Sequence, residues 1–200
     1  MKTLDLFVVE LQKQLKDTIK TESGFELYLD PKFNDFEHRV TDGPVVCSPL
    51  RHKTGVKEGD TLYFHHLVVL NEGQALTGLD NHFLVRYDPD HTVNNQAIAH
   101  KCKDTGEIKP LGGWVLLEHV EESSPEEQSD LIEIVKLDKA DVSKASVAFT
   151  APWVEELGLK VGDVVGIKKN MDYKLFIDGK PYYRTRSEDL LYVEEEVHND

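Results

Sequence analysis

The apolar residues of this chain come in short runs, set off by Gly, Pro, Asn and Asp at intervals of roughly 8 to 12 positions. Leu4, Leu6, Phe7, Val8, Val9 and Leu11 predict a buried strand. The stretch that continues to Ile19 fits two readings, because Val8, Leu11, Leu15 and Ile19 also recur at helical spacing; residues 12–20 are open between strand and helix. From Thr18 to Arg39 the chain is polar with isolated apolar residues, broken by Gly24 and Pro31, which predicts a long excursion rather than an element. Loops of that length inside a compact domain are usually functional.

Val45-Val46-Cys47 predicts a short strand, stopped by Ser48-Pro49. A glycine-flanked turn, Gly55-Val56-Lys57-Glu58-Gly59-Asp60, then runs into the strand Thr61-Leu62-Tyr63-Phe64. Turns at Asn71-Glu72-Gly73 and Gly78 to Asn81 precede a strand at Phe83 to Tyr87, and Ile98-Ala99 closes the plan.

The plan is then repeated. Gly158-Leu159-Lys160-Val161-Gly162-Asp163 runs into Val164-Val165-Gly166-Ile167 at a constant offset of 103 residues from the first turn. Trp114 to Leu117 predicts a strand, Glu121 to Ser129 is polar, Leu131 to Val135 is apolar, and Val147-Ala148-Phe149 matches Val45-Val46-Cys47. A hairpin around Asp178-Gly179 joins Lys174–Ile177 to Tyr182–Thr185, and Leu190 to Val193 ends the pattern. The expectation is an all-β protein of two small barrels or sandwiches, residues 1–103 and 104–200, linked at Lys103 to Gly106.

Charge narrows the function classes. The net charge of −14 is uneven: residues 1–103 hold 12 Lys and Arg against 15 Asp and Glu, and residues 104–200 hold 11 against 22. An acidic chain with no basic stripe, and no aromatics interleaved with basic residues, is a poor partner for nucleic acid. No run approaches the roughly 18 apolar residues of a membrane span, and Met1 to Asp5 lacks the apolar run of a signal peptide, so the expectation is a cytoplasmic protein with no membrane partner.

Candidates for chemistry are thin. Cys47 and Cys102 lie far apart with no C-x-x-C, which argues against a disulfide framework or a cysteine zinc site. Nine histidines include no H-x-x-x-H or H-E-x-x-H spacing, and His65 and His66, adjacent on a strand, are expected to point to opposite faces. The pairs Glu155-Glu156 and Glu194-Glu195 sit in charged surroundings that do not favour a raised pKa, and no nucleophile elbow or phosphate-cradling loop is present. The expectation is no enzyme, no catalytic or metal-binding residue, and no cofactor.

The second module resembles the co-chaperonin family of the GroES type. Glu107 to Leu111 before Trp114 to Leu117 is similar to that family's opening strand, Leu159 to Val165 to its turn and following strand, and Asp178 to Tyr182 with Ser187 to Val193 to its closing hairpin and last strand. The first module is similar but more diverged, through Leu4 to Val9, Gly55 to Phe64 and Phe83 to Tyr87. Its Thr21-Glu22-Ser23-Gly24-Phe25-Glu26-Leu27 resembles the start of the family's mobile loop, most of all in phage-encoded members. Ser48 to Thr54 and Ala151 to Leu157 are short where many members carry a roof hairpin.

The resemblance implies two tandem GroES-like barrels and a homo-oligomeric ring that caps a GroEL-type chaperonin and encloses an unfolded client while the partner hydrolyses ATP. It assigns docking to the segment after Gly24, namely Phe25, Glu26 and Leu27, extended by Tyr28 and Leu29. Glu26 departs from the family's apolar triplet. In the second module the matching positions are Leu131, Ile132 and Ile134, without the glycine. Single-module members form seven-membered rings, so seven chains with one module docking, or four chains with two, are the alternatives, and the unequal modules favour seven. The same residues also admit a structural or adaptor protein, a virion component or assembly factor, that uses the fold without binding a chaperonin.

Overall fold

The computed structural model describes residues 1–15, 18–20, 25–28, 39–69, 75–76, 78–79, 81–90, 94–119, 144–168 and 173–194. The protein is all-β, and it divides into two compact units, Met1–Trp114 and Val115–Asp200.

In the first unit the strands are β1 (Leu6–Glu10), β2 (Thr18–Lys20), β3 (Glu26–Tyr28), β4 (Asp42–Cys47), β5 (Thr61–Phe64), β6 (His82–Arg86), β7 (Ala97–Lys101) and β8 (Ile108–Pro110). Six of them form one antiparallel sheet in the order β6-β1-β4-β5-β7-β8, and β2 and β3 form a separate two-stranded ribbon. Phe7, Val9, Leu62, Phe64 and Val85 anchor the core of this unit. Each such side chain contributes about 1.5–3 kcal/mol by leaving water.

The second sheet comprises β9 (Trp114–His119), β10 (Lys144–Thr150), β11 (Val164–Ile167), β12 (Tyr173–Ile177), β13 (Lys180–Arg186) and β14 (Leu190–Val193), with one helical turn, α1 (Pro152–Glu156). Its order is β12-β13-β9-β10-β11-β14. Val115, Leu117, Val147, Val165 and Ile167 form its core. Stripped of β8 and β12, the two sheets have one order, with β13, β9, β10, β11 and β14 standing where β6, β1, β4, β5 and β7 stand.

The duplication extends to the irregularities. Val8 pairs with Cys47 and Val9 with Val45, which leaves Val46 as a bulge; Leu116 pairs with Phe149 and Leu117 with Val147, which leaves Ala148 as its counterpart. A second bulge sits at Ile98, between the pairs Tyr63–Ala99 and Phe64–Ala97, and is repeated at Leu191, between Gly166–Tyr192 and Ile167–Leu190. Ladder pairing tolerates an extra residue only where twist and side-chain direction demand it, so two shared bulges mark one fold plan used twice.

The repeated turn is built identically. Gly59 and Gly162 have φ of 86° and 97°, a region that glycine enters without a Cβ penalty. Their N–H groups donate to Val45 and Val147 carbonyls at 2.8 Å, and the Asp60 and Asp163 carboxylates accept the N–H of Lys57 and Lys160 at 2.9 and 2.8 Å.

Four features differ from the sequence expectation. The first strand is shorter than Leu4 to Leu11, and Leu4 is exposed. The excursion between Thr18 and Arg39 contains the ribbon of β2 and β3, and residues 18–20 adopt the strand alternative. The Lys103 to Gly106 segment is not a linker: Gly106 N–H donates to the Cys102 carbonyl at 2.8 Å and Cys102 N–H to Glu107 at 2.9 Å, closing a hairpin that pairs Ile108–Pro110 with β7 in the first sheet. β8 therefore counts with the first unit and not as the opening strand of the second. Finally, β5 stops at Phe64, so His65 and His66 do not share a strand; His65 caps a short 3-10 turn and the two rings stack with centroids 4.3 Å apart.

Candidate docking site

The excursion leaves the first sheet beyond β1 and returns before β4, and its base is closed. Leu15 and Arg39 form an isolated antiparallel bridge, and Val40 N–H donates to the Gln14 carbonyl at 3.0 Å. Arg39 is buried at this base. One step earlier, Leu11 N–H donates to the Asn81 carbonyl at 2.8 Å, so the departing chain is also tied to the turn ahead of β6.

Above the base, Thr18 pairs with Tyr28, Ile19 with Leu27 and Lys20 with Glu26. Thr and Ile are residue types with a high strand propensity, which suits the pairing of these short segments. A lone two-stranded ribbon is marginal in water, so this one draws little stability from itself. Phe25, at the start of the return strand, and Tyr28, at its end, have 71% and 80% of their surfaces exposed. Two large aromatic side chains three residues apart are therefore largely exposed on a segment whose base is closed by the Leu15–Arg39 bridge.

Of the positions the sequence singles out for docking, Glu26 and Leu27 are placed as backbone positions of β3. Gly24, Leu29, Leu131, Ile132 and Ile134 lie outside the described residues. Neither Ser48 to Thr54 nor Ala151 to Leu157 forms a hairpin; the second is the turn α1, started by Pro152, whose missing N–H is no loss in a first helical turn.

Among the described residues no group of three or more His, Cys, Asp or Glu side chains converges as a metal site would require. Cys47 and Cys102 are free thiols, and the Cys102 thiol is held below its usual value by the Thr105 hydroxyl and by the N–H groups of Thr105 and Asp104. No helix among the described residues is long and apolar enough to cross a membrane.

Sequence reasoning missed the partners of Asp60. Beyond Lys57, its carboxylate accepts the Lys103 N–H at 3.0 Å and lies 3.4 Å from His100 Nδ1, with side chains only 1% and 5% exposed. Burial pushes the Asp60 carboxyl up, but the N–H groups of Lys57 and Lys103 and the nearby His100 outweigh it and hold the group below its ordinary value. A carboxylate after the second glycine signals the turn contact; nothing adjacent to it in sequence signals a histidine 40 residues on.

No protein-family model matches the chain, and no curated protein sequence matches it.

Proposed function

We propose that this chain is a co-chaperonin that docks on a GroEL-type chaperonin ring through the β3 segment bearing Phe25 and Tyr28 and assists ATP-dependent folding of an unfolded client held by the complex. In this reading each sheet closes into a small GroES-like barrel, the chain performs no catalysis, and ATP hydrolysis belongs to the partner. The observation that carries it is the exposure of Phe25 and Tyr28 on an excursion closed at Leu15 and Arg39, in the segment where the resemblance puts docking.

The energetics suit a reversible cap. Burying the two aromatics on a partner contributes about 1.5–3 kcal/mol each, and ordering each residue of the segment opposes this by about 1–2 kcal/mol. One site binds weakly, and several sites on one ring bind firmly through effective concentration. The duplicated fold with a single ribbon bearing exposed aromatics among the described residues fits seven chains that each dock by the first unit.

The test is capture of the protein by a GroEL-type chaperonin in the presence and absence of nucleotide, with the complex imaged by electron microscopy. Nucleotide-dependent capping that is lost in Phe25→Ala/Tyr28→Ala supports the reading. A well-folded ring that never engages the chaperonin would assign the chain to a structural or adaptor role.

A further inference from the structure

We propose that Asp60 and His100 form a proton-operated latch that fastens the Lys57–Asp60 turn and the start of the β7–β8 hairpin to each other. The geometry is that of one carboxylate serving three groups. Asp60 takes the Lys57 N–H at 2.9 Å from its own turn and the Lys103 N–H at 3.0 Å from the far end of β7, while His100 Nδ1 stands 3.4 Å away without the alignment of a hydrogen bond. Lys103 reinforces the join from outside, its ammonium donating to the Glu58 carbonyl at 2.9 Å.

The charges facing His100 come from the turn and from the β8 side of the sheet. Asp60 faces it from the turn; β5 presents only Leu62 opposite it; from β8, Lys109 is its direct ladder partner and Glu107 stands beside Lys109 at 3.0 Å. Burial dominates and holds the imidazole below its ordinary value, Asp60 opposes this, Lys109 adds to it and Glu107 partly cancels Lys109. With its pKa below the ordinary value His100 is mainly neutral at pH 7, and an imidazolium there bears a burial penalty that Asp60 only partly offsets, which favours entry of water or movement of the ring toward solvent. Either movement pulls on the carboxylate that holds the two N–H groups.

The second unit supplies an internal control. At the rung where Leu62 faces His100, Val165 faces Val193, so the second unit carries a valine where the first carries the histidine. A response that needs an imidazole at this rung is therefore expected at the first turn and not at the second.

Two measurements test the latch on the full chain. In the first, side-chain NMR follows His100 while amide exchange, corrected for intrinsic rate, is read at Lys57, Lys103 and Lys160 from about pH 7.5 down to pH 5. The expected result is a His100 midpoint below 6.5, with loss of protection at Lys57 and Lys103 over the same range and none at Lys160. In the second, His100→Val, which installs the residue found at the equivalent rung, makes protection at Lys57 and Lys103 independent of pH. A His100 midpoint at or above 6.5, or Lys57 and Lys103 amides that stay protected through its titration, overturns the proposal in the natural protein even if the variant does not fold. Retention of the pH dependence in a folded His100→Val overturns it as well.

Discussion

Tyr63 and Tyr192 stand at the same rung of the two units but on opposite strands. In the first unit Tyr63 of β5 pairs with Ala99 of β7; in the second, Gly166 of β11 pairs with Tyr192 of β14. Each rung thus pairs one tyrosine with one small residue, and the two units have exchanged which strand carries which. A Cβ added to Gly166 would lie 2.3 Å from the Tyr192 ring, so the ring lies directly on the glycine.

This contact predicts a specific coupling. Gly166→Ala should overpack the rung and destabilise the protein by about 1–3 kcal/mol, and Tyr192→Ala in the same chain should recover part of that loss. Urea unfolding of the two single variants and the double variant reads it; strict additivity would mean that the ring does not rest on Gly166.

The two aspartates of the repeated turn should differ in importance. Asp60→Ala strands the Lys57 and Lys103 N–H groups beside a buried His100 and should lower stability by about 1–3 kcal/mol. Asp163→Ala loses the contact to Lys160 N–H in a more open turn and should lower it by about 1 kcal/mol or less. Chemical denaturation of both variants decides the order.

Stability should fall on mild acidification, and the sign follows from His100. Its pKa is lower in the folded protein than the ordinary 6.5, so the unfolded chain binds more protons in between; the contribution is complete above 6.5 and is lost as pH falls through the folded value. Asp60, held below its ordinary 3.8, adds a second loss that begins only near that pH. The urea midpoint should therefore drop between about pH 7.5 and 5.5 in the natural protein and drop less in His100→Val.

Docking and folding should separate at the ribbon. Because Phe25 and Tyr28 are exposed, replacing both by Ala should shift stability by no more than about 0.5 kcal/mol each while removing chaperonin capture. Matching unfolding curves with lost capture are the expected pair of results; unchanged capture would move the docking surface elsewhere.

Ring size is the remaining expectation. Native mass spectrometry should find a closed heptamer if one unit per chain docks, and a tetramer if both do. A monomer at high concentration with chaperonin present would count against capping.

Much of the fold is legible along the chain because its signals are local. Asp178-Gly179 forms the tight turn between Ile177 and Lys180, with φ of 52° and 81°, as an Asp-Gly pair between apolar runs predicts. The ribbon of β2 and β3 was hidden because three-residue strands among polar residues carry no period long enough to read. The aromatics Phe25 and Tyr28 were legible only as part of a motif, and their exposure came from the structure.

The sequence by itself determined most strands of the two sheets, the duplicated Gly-x-x-x-Gly-Asp frame and the 103-residue repeat, since positive φ, side-chain capping and alternation are settled by residues adjacent in the chain. Only the tertiary structure decided that Ile108–Pro110 joins the first sheet, that the bulges at Val46 and Ile98 recur at Ala148 and Leu191, and that His100 meets Asp60. Strand partners and bulges are chosen by register between distant segments, where a shift of one residue turns every side chain to the other face, and no local pattern encodes that choice.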